Sequence, residues 1–275
     1  MRSSNHGPEK PEMRFPFGEN WKRFLSSLQD RQIVEAVTSI KRMLEADELS
    51  AKTFLDVGSG SGLSSLAARR LGAEVYSFDC DAESVACTQY LKQKFFPDDP
   101  HWMVQEGSIL DSAWLSSLKQ YDIVYSWGVL HHTGAMWQAL EHLDPLVADG
   151  GKLLIAIYND QGIVSDFWRM IKRLYNYLPQ RLRFVLTGPT LLCLWGPHTL
   201  KDLLRGKPYS TWRNYATLRG MSPWHDLVDW VGGLPFEVAK PGAIVDFYAV
   251  RGYELKKLSS AGRGLGCNEF VFKKL

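Results

Sequence analysis

The chain has 275 residues, 45% of them apolar, with 32 basic and 30 acidic side chains, enough for one large domain or a domain with a subdomain. Its four cysteines (Cys80, Cys87, Cys193, Cys267) are scattered and form no CxxC pair, which excludes a disulfide framework and points to a reducing compartment. The net charge of +2 hides an asymmetry: residues 161–220 carry ten Lys/Arg and two acids, so that segment is +8 and the rest of the chain −6.

Residues 1–14 are polar and Pro-containing and read as a loose tail without a secretory signal, so a cytoplasmic location is expected. Residues 21–44 place Phe24, Leu28, Ile33, Val37, Ile40 and Leu44 at helical spacing, which predicts one or two helices. Residues 53–57 (TFLDV) predict a short buried strand, followed by the glycine run of residues 58–62 and a helix through Leu71. A second strand over 74–78 ends at Asp79, and a helix over 81–95 follows. Strands over 101–105 and 121–127, a helix over 135–147, a turn at 149–151 and a fifth strand over 152–158 complete an alternating pattern. Such alternation implies a parallel sheet covered on both faces.

Residues 159–235 break the rhythm. They are helical, aromatic and basic, and too long for a connecting loop, so a helical insert is expected. Within it, residues 167–178 predict an amphipathic helix with a basic face. The apolar run 184–200 is short for a membrane span and is interrupted by Gly188-Pro189 and Gly196-Pro197. It fits a buried helical piece or one lying in a membrane interface. A helix over 237–248 and two strands over 252–258 and 268–273, joined by a Gly-rich hairpin, close the chain.

The chemistry starts at Asp56-Val57-Gly58-Ser59-Gly60-Ser61-Gly62 and Ser77-Phe78-Asp79-Cys80-Asp81. Glycines after a first strand let the backbone approach a ligand. An acid ending the second strand suits the two hydroxyls of a ribose. The dinucleotide spacing G-x-G-x-x-G/A fails from either glycine, since Leu63 and Ser65 hold the third place. Asp56 is wrong for a pyrophosphate and right for a cation, such as the amino group of an amino-acid-bearing cofactor.

On these residues the chain resembles the class I S-adenosylmethionine-dependent methyltransferases, most closely the small-molecule methylases of the ubiquinone and menaquinone biosynthesis type. The resemblance implies an α/β fold: a doubly wound, seven-stranded, mostly parallel sheet with an antiparallel seventh strand and a helical insert after strand five. It implies S-adenosylmethionine as cofactor. Asp56, Gly58, Ser59, Gly60 and Gly62 would hold its methionine part, and Asp79 its ribose. Cys80, Ser108 and Ile109 would lie at the adenine, and Trp127 beside the methionine end. Segments like the aromatic 15–21 often close over the cofactor in such enzymes, so Trp21 is a candidate to stack on it, with core packing as the alternative.

His131 and His132 follow the fourth strand at the carboxyl edge of the sheet, where ligands bind in open α/β folds. A histidine titrating near neutrality there takes a proton from an attacking hydroxyl, and His132 is favoured over His131. Structural hydrogen bonding is the rival reading, and metal ligation a weaker one, because adjacent side chains diverge. Asn159, His225 and Asn268 are candidate substrate contacts. The expected organisation is thus a tail (1–14), an N-terminal helical cap (15–50), a cofactor-binding core (51–159), a substrate or lid insert (160–235) and the rest of the sheet (236–275). The expected acceptor is a small or lipid-like organic molecule, O-methylation being favoured, with peripheral membrane contact through the insert and no metal. RNA or protein methylation, a nicotinamide-dependent oxidoreductase and a non-catalytic binding protein are the alternatives.

Overall fold

The computed structural model describes residues 15–219, 223–262 and 264–275. The aromatic N-terminal segment leads into α1 (Phe17–Ser26) and α2 (Asp30–Leu44). Two helices form because the chain breaks at Gln29, whose side chain and that of Gln32 cap each other's backbone N–H groups. The alternating region then runs β1 (Thr53–Val57), α3 (Leu63–Arg70), β2 (Glu74–Asp79), α4 (Ala82–Phe95), β3 (Trp102–Glu106), α5 (Ser112–Leu115), β4 (Tyr121–Trp127), α6 (Met136–Leu143) and β5 (Val147–Tyr158). The expected helix over 135–147 stops early, and β5 begins at Val147, ahead of the expected turn. A register shift between Tyr121 and Ile123 on β4 accommodates the residues around that turn.

After β5 come α7 (Ile163–Tyr177), α8 (Phe184–Leu204), α9 (Ser210–Arg219) and α10 (Pro223–Gly232). The run expected to be broken is one helix, α8, with Pro189 and Pro197 inside it. Its partly buried Leu186, Leu191 and Leu194 pack with Tyr175 of α7 and with Leu227 and Val231 of α10. That packing outweighs the hydrogen bonds the prolines remove. The expected helix over 237–248 starts only at Pro241, as α11 (Pro241–Ala249), because Ala239 instead pairs with Asn159 as an extended bridge. β6 (Tyr253–Ser259) and β7 (Cys267–Lys274) end the chain.

The sheet has the order β3-β2-β1-β4-β5-β7-β6, with β7 antiparallel to both its neighbours. Strand alternation splits the core between two faces. Leu55, Val57, Val124 and Ile155 meet α6 and α11 on one face. Phe54, Ile123, Tyr125 and Leu154 meet α2 and α3 on the other. The strand order reverses between β1 and β4, so the carboxyl ends of these two strands open a crevice.

Candidate active site

A cavity of about 1190 Å³ occupies that crevice. Its floor is the loop after β1. Gly58 and Gly60 have φ of +77° and +54°, in the left-handed region. A Cβ on Gly58 would strike the Val129 side chain at 2.4 Å, and one on Gly60 would meet Trp21 Nε1 at 2.9 Å. Trp21, from α1, therefore lies directly against the loop, and both line the cavity. Gly62 does not. It starts α3 in a left-handed conformation with a Cβ position against Thr88, so its expected cofactor contact is replaced by a packing role. Ser59 does line the cavity, and its hydroxyl is bonded to that of Thr88 at 2.9 Å.

Two carboxylates face this loop. Asp56 is 2% exposed on β1 and accepts a 2.5 Å hydrogen bond from Ser65 Oγ on α3. Burial, with the nearby Asp79 charge adding to it and the Ser65 bond opposing it, pushes its carboxyl up to about 7. The Ser65 hydroxyl is also bonded to Ser77 Oγ, which accepts from Trp102 Nε1, a buried chain that spacing alone does not reveal. Asp79 ends β2, accepting from Gly60 N–H at 3.0 Å and from Asp81 N–H at 2.9 Å. Desolvation raises its pKa as well.

Four of the loop's N–H donors are already used within the protein. Gly58 and Ser59 N–H both donate to Phe78 O at 2.8 and 3.0 Å, Gly60 N–H to Asp79, and Gly62 N–H to Ser59 O at 2.8 Å. A pyrophosphate needs such donors. The residues instead offer carboxylate acceptors to hydroxyls and to a cation, which fits a nucleoside carrying an amino-acid tail. Cys80, Ser108, Ile109 and Trp127 also line the cavity.

The two histidines part company. His132 lines the cavity, between Phe17 (ring centroids 4.8 Å) and Tyr158 (5.3 Å). Its Nδ1 donates to Pro235 O at 2.6 Å, since a carbonyl only accepts. That fixes the tautomer and leaves the lone pair on Nε2. Burial and the positive charge of Lys172 lower its pKa to about 3, so the near-neutral titration expected of this pair is corrected: the ring is neutral and a weak base. His131 is fully buried, 3.8 Å ring to ring from Tyr158, and accepts from Tyr158 N–H. It does not line the cavity, so its expected direct role gives way to packing behind His132. Lys172, unanticipated, is completely buried beside them: it donates to Trp230 O and lies over the rings of Trp230 (4.8 Å) and Phe236 (4.7 Å). Among the described residues no three His, Cys, Asp or Glu side chains converge to hold a metal.

The asparagines are corrected too. Asn268 is fully buried outside the cavity lining. Its Nδ2 donates to Asn159 Oδ1 at 3.1 Å, and its Oδ1 accepts from Ser260 Oγ and Ala261 N–H. Asn159 Nδ2 donates to Gly262 O. The pair clamps the β6–β7 hairpin to the end of β5. β7 does start at the crevice, but alternation gives the cavity Cys267 and Glu269 in place of Asn268. His225 stands on α10, and its side chain lies outside the described residues.

The rest of the wall was not anticipated. Glu35 and Ser39 come from α2, Leu194 and Trp195 from α8, and Tyr215 from α9. Trp195 packs on Trp212 and Tyr215 with ring centroids 4.6 Å apart in both pairs. Tyr158 and Trp230 close the wall near His132.

The methyltransferase-domain family matches residues 28–207. Among curated proteins, the ribosomal protein L11 methyltransferase of Helicobacter hepaticus is 35% identical over 77 residues, which are 28% of this chain and 23% of that protein. The chain thus spans about a quarter of the length of the curated relatives it matches, 27% in that of Prochlorococcus marinus. Among solved structures, magnesium protoporphyrin IX methyltransferase from Synechocystis PCC 6803 aligns over 94% of both chains at TM-score 0.55 and 13% identity. A methyltransferase from Aquifex aeolicus aligns over 93% of this chain and 98% of its own at TM-score 0.51 and 11% identity. At these identities the structural likeness shows the fold.

Proposed function

Because the chain belongs to the methyltransferase-domain family, we propose that it is an S-adenosylmethionine-dependent enzyme that methylates a small, hydrophobic organic acceptor, oxygen being the favoured nucleophile. When bound, S-adenosylmethionine supplies an electrophilic methyl group on a sulfonium. Asp56 would hold its amino group, Asp79 its ribose, and Trp21 would cover the glycine loop. The failed dinucleotide spacing and the used loop N–H groups argue against the oxidoreductase alternative.

The observation that carries the acceptor class is the cavity. At about 1190 Å³ it exceeds the roughly 300–1,000 Å³ of a site for one drug-sized ligand. Leu194, Trp195, Tyr215 and Trp230 form part of its wall, side chains suited to an apolar or aromatic acceptor. Methyl transfer is an in-line displacement, so alignment of nucleophile and methyl supplies much of the rate. Neutral His132 suits that task. Its Nε2 accepts a hydrogen bond from the acceptor's hydroxyl and orients it; its low pKa makes it a poor proton sink, so the proton the hydroxyl loses on methylation goes to solvent.

Incubation with methyl-labelled S-adenosylmethionine and cell extract, followed by partition, tests the reading. Label is expected in the organic fraction and lost with Asp79→Ala. Label in the macromolecular fraction instead supports the second reading, a protein acceptor, which the likeness to ribosomal protein L11 methyltransferases favours. Cofactor binding without any transfer would sink both and leave a non-catalytic binding protein.

A further inference from the structure

The face of α7 turned away from the body is apolar. Ile163, Phe167, Met170, Leu174 and Tyr177 are all exposed, Ile163 by 87% and Tyr177 by 77%. Their spacing of four, three, four and three residues puts them on one stripe roughly 80° wide at 100° per residue. The opposite face is the one that packs: Trp168, Lys172 and Tyr175 are buried. Surface helices ordinarily show the reverse, polar out and apolar in. The stripe continues past the helix end, where Leu182, Phe184 and Val185 are exposed by 47, 66 and 52%. Fourteen of the 23 exposed large apolar side chains among the described residues fall between Ile163 and Tyr209, so this is a concentrated patch and not ordinary surface scatter.

Exposed cations border it. Arg173 flanks the stripe on α7, and Arg181 stands in the turn before α8. Lys201, Arg205, Lys207 and Arg213 are exposed farther along the same +8 segment. An apolar stripe with basic flanks is the composition of a helix that lies in the headgroup region of an anionic bilayer. A second copy of the chain would bring +8 against +8, which disfavours it as occupant. A nucleic acid would match the charge but leave the aliphatic stripe without a counterpart. Among the described residues no helix is long and apolar enough to cross a membrane, so the contact would be one of lying on the surface.

We propose that α7 and the α7–α8 turn form a docking surface for an anionic lipid bilayer. The inner side of the neighbouring α8 supplies Leu194 and Trp195 to the cavity wall, so docking would bring that portion of the cavity close to the lipid phase. The lipid surface stands on the exposed stripe alone and does not depend on which acceptor is methylated.

Flotation of the full chain with phosphatidylcholine vesicles, with and without about 30% phosphatidylglycerol, tests it. Binding is expected to the anionic vesicles only, and to weaken on going from about 0.1 M to about 0.5 M salt. Phe167→Ser combined with Met170→Ser should weaken it at least about tenfold. Both side chains are exposed, so S-adenosylhomocysteine binding, measured in parallel, should not change. Equal binding to neutral vesicles, or binding to neither, would overturn the proposal. So would concentration-dependent dimerisation, or retention on RNA, that the same substitutions abolish while vesicles are ignored.

Discussion

Asp56 is a carboxylate that the fold holds at a cost. Its folded pKa of about 7 lies above the ordinary 3.8, so the folded chain keeps a proton that the unfolded chain releases. Stability therefore falls as pH rises from about 4 to about 7, by about 1.4 kcal/mol per pH unit at most. A cationic amino group beside Asp56 relieves that cost, so binding of the cofactor is expected to expel a proton near pH 7. Asp56→Asn should separate the two effects. Free of ligand at pH 8, the variant is expected to be more stable by on the order of 3 kcal/mol, and at pH 3 to be little changed. Its affinity for S-adenosylmethionine should fall, and the buffer-dependent proton release seen by calorimetry should disappear. A variant no more stable at pH 8 than the parent would mean that the folded chain does not raise the Asp56 pKa above its ordinary value. His132 is shifted in the opposite sense. The unfolded chain takes up a proton below about 6.5 that the folded ring refuses until about 3, so it withdraws stability on acidification through that window.

At the level of elements, the cofactor half of the site was legible because consecutive residues build it. Strand, glycine loop and helix follow one another from Thr53 to Arg70, and the next strand ends on Asp79. Spacing along the chain is then nearly spacing in space. The wall proposed for the acceptor draws on α2 and, well over a hundred residues later, on α8, α9 and α10, and no local pattern joins Ser39 to Trp195. The end of β7 failed for a finer reason. Topology correctly brought it to the crevice, but a one-residue error in facing exchanges inside for outside, so Asn268 became a clamp while Glu269 entered the wall. Asn268→Ala removes partners from Asn159, Ser260 and Ala261 together. It is expected to cost about 2–3 kcal/mol in denaturant unfolding while cofactor affinity stays within about twofold. A large loss of affinity with little loss of stability would return Asn268 to the binding site.

For the molecule as a whole, the sheet and the helices after β5 divide the labour. The sheet edge presents Asp56, Asp79 and the glycine loop at one part of the cavity, and the helices after β5 present Leu194, Trp195 and Tyr215 at another. Seen from the sequence, the helices after β5 were recognisable as a helical, basic insert that breaks an alternating rhythm. Their basic charge was visible, but the basic face expected of α7 is corrected: Lys172 is buried and the exposed stripe is apolar, because a helix rich in apolar residues on both sides does not declare its inner face. If the cavity holds two ligands, damage to its two parts should be separable. Trp195→Phe keeps an aromatic ring against Trp212 and Tyr215 but removes volume from the wall, for an expected stability loss of about 1–2 kcal/mol. The KM for the acceptor should rise about fivefold or more, because a hydrophobic pocket that loses complementarity loses about 1–3 kcal/mol of discrimination. The dissociation constant of S-adenosylhomocysteine should remain within about twofold, and Asp79→Ala should show the reverse pattern, as follows from the ribose role proposed for its carboxylate. A Trp195→Phe variant that loses cofactor and acceptor affinity in equal measure would mean that the cavity is a single site, with the helices after β5 serving only to cover it.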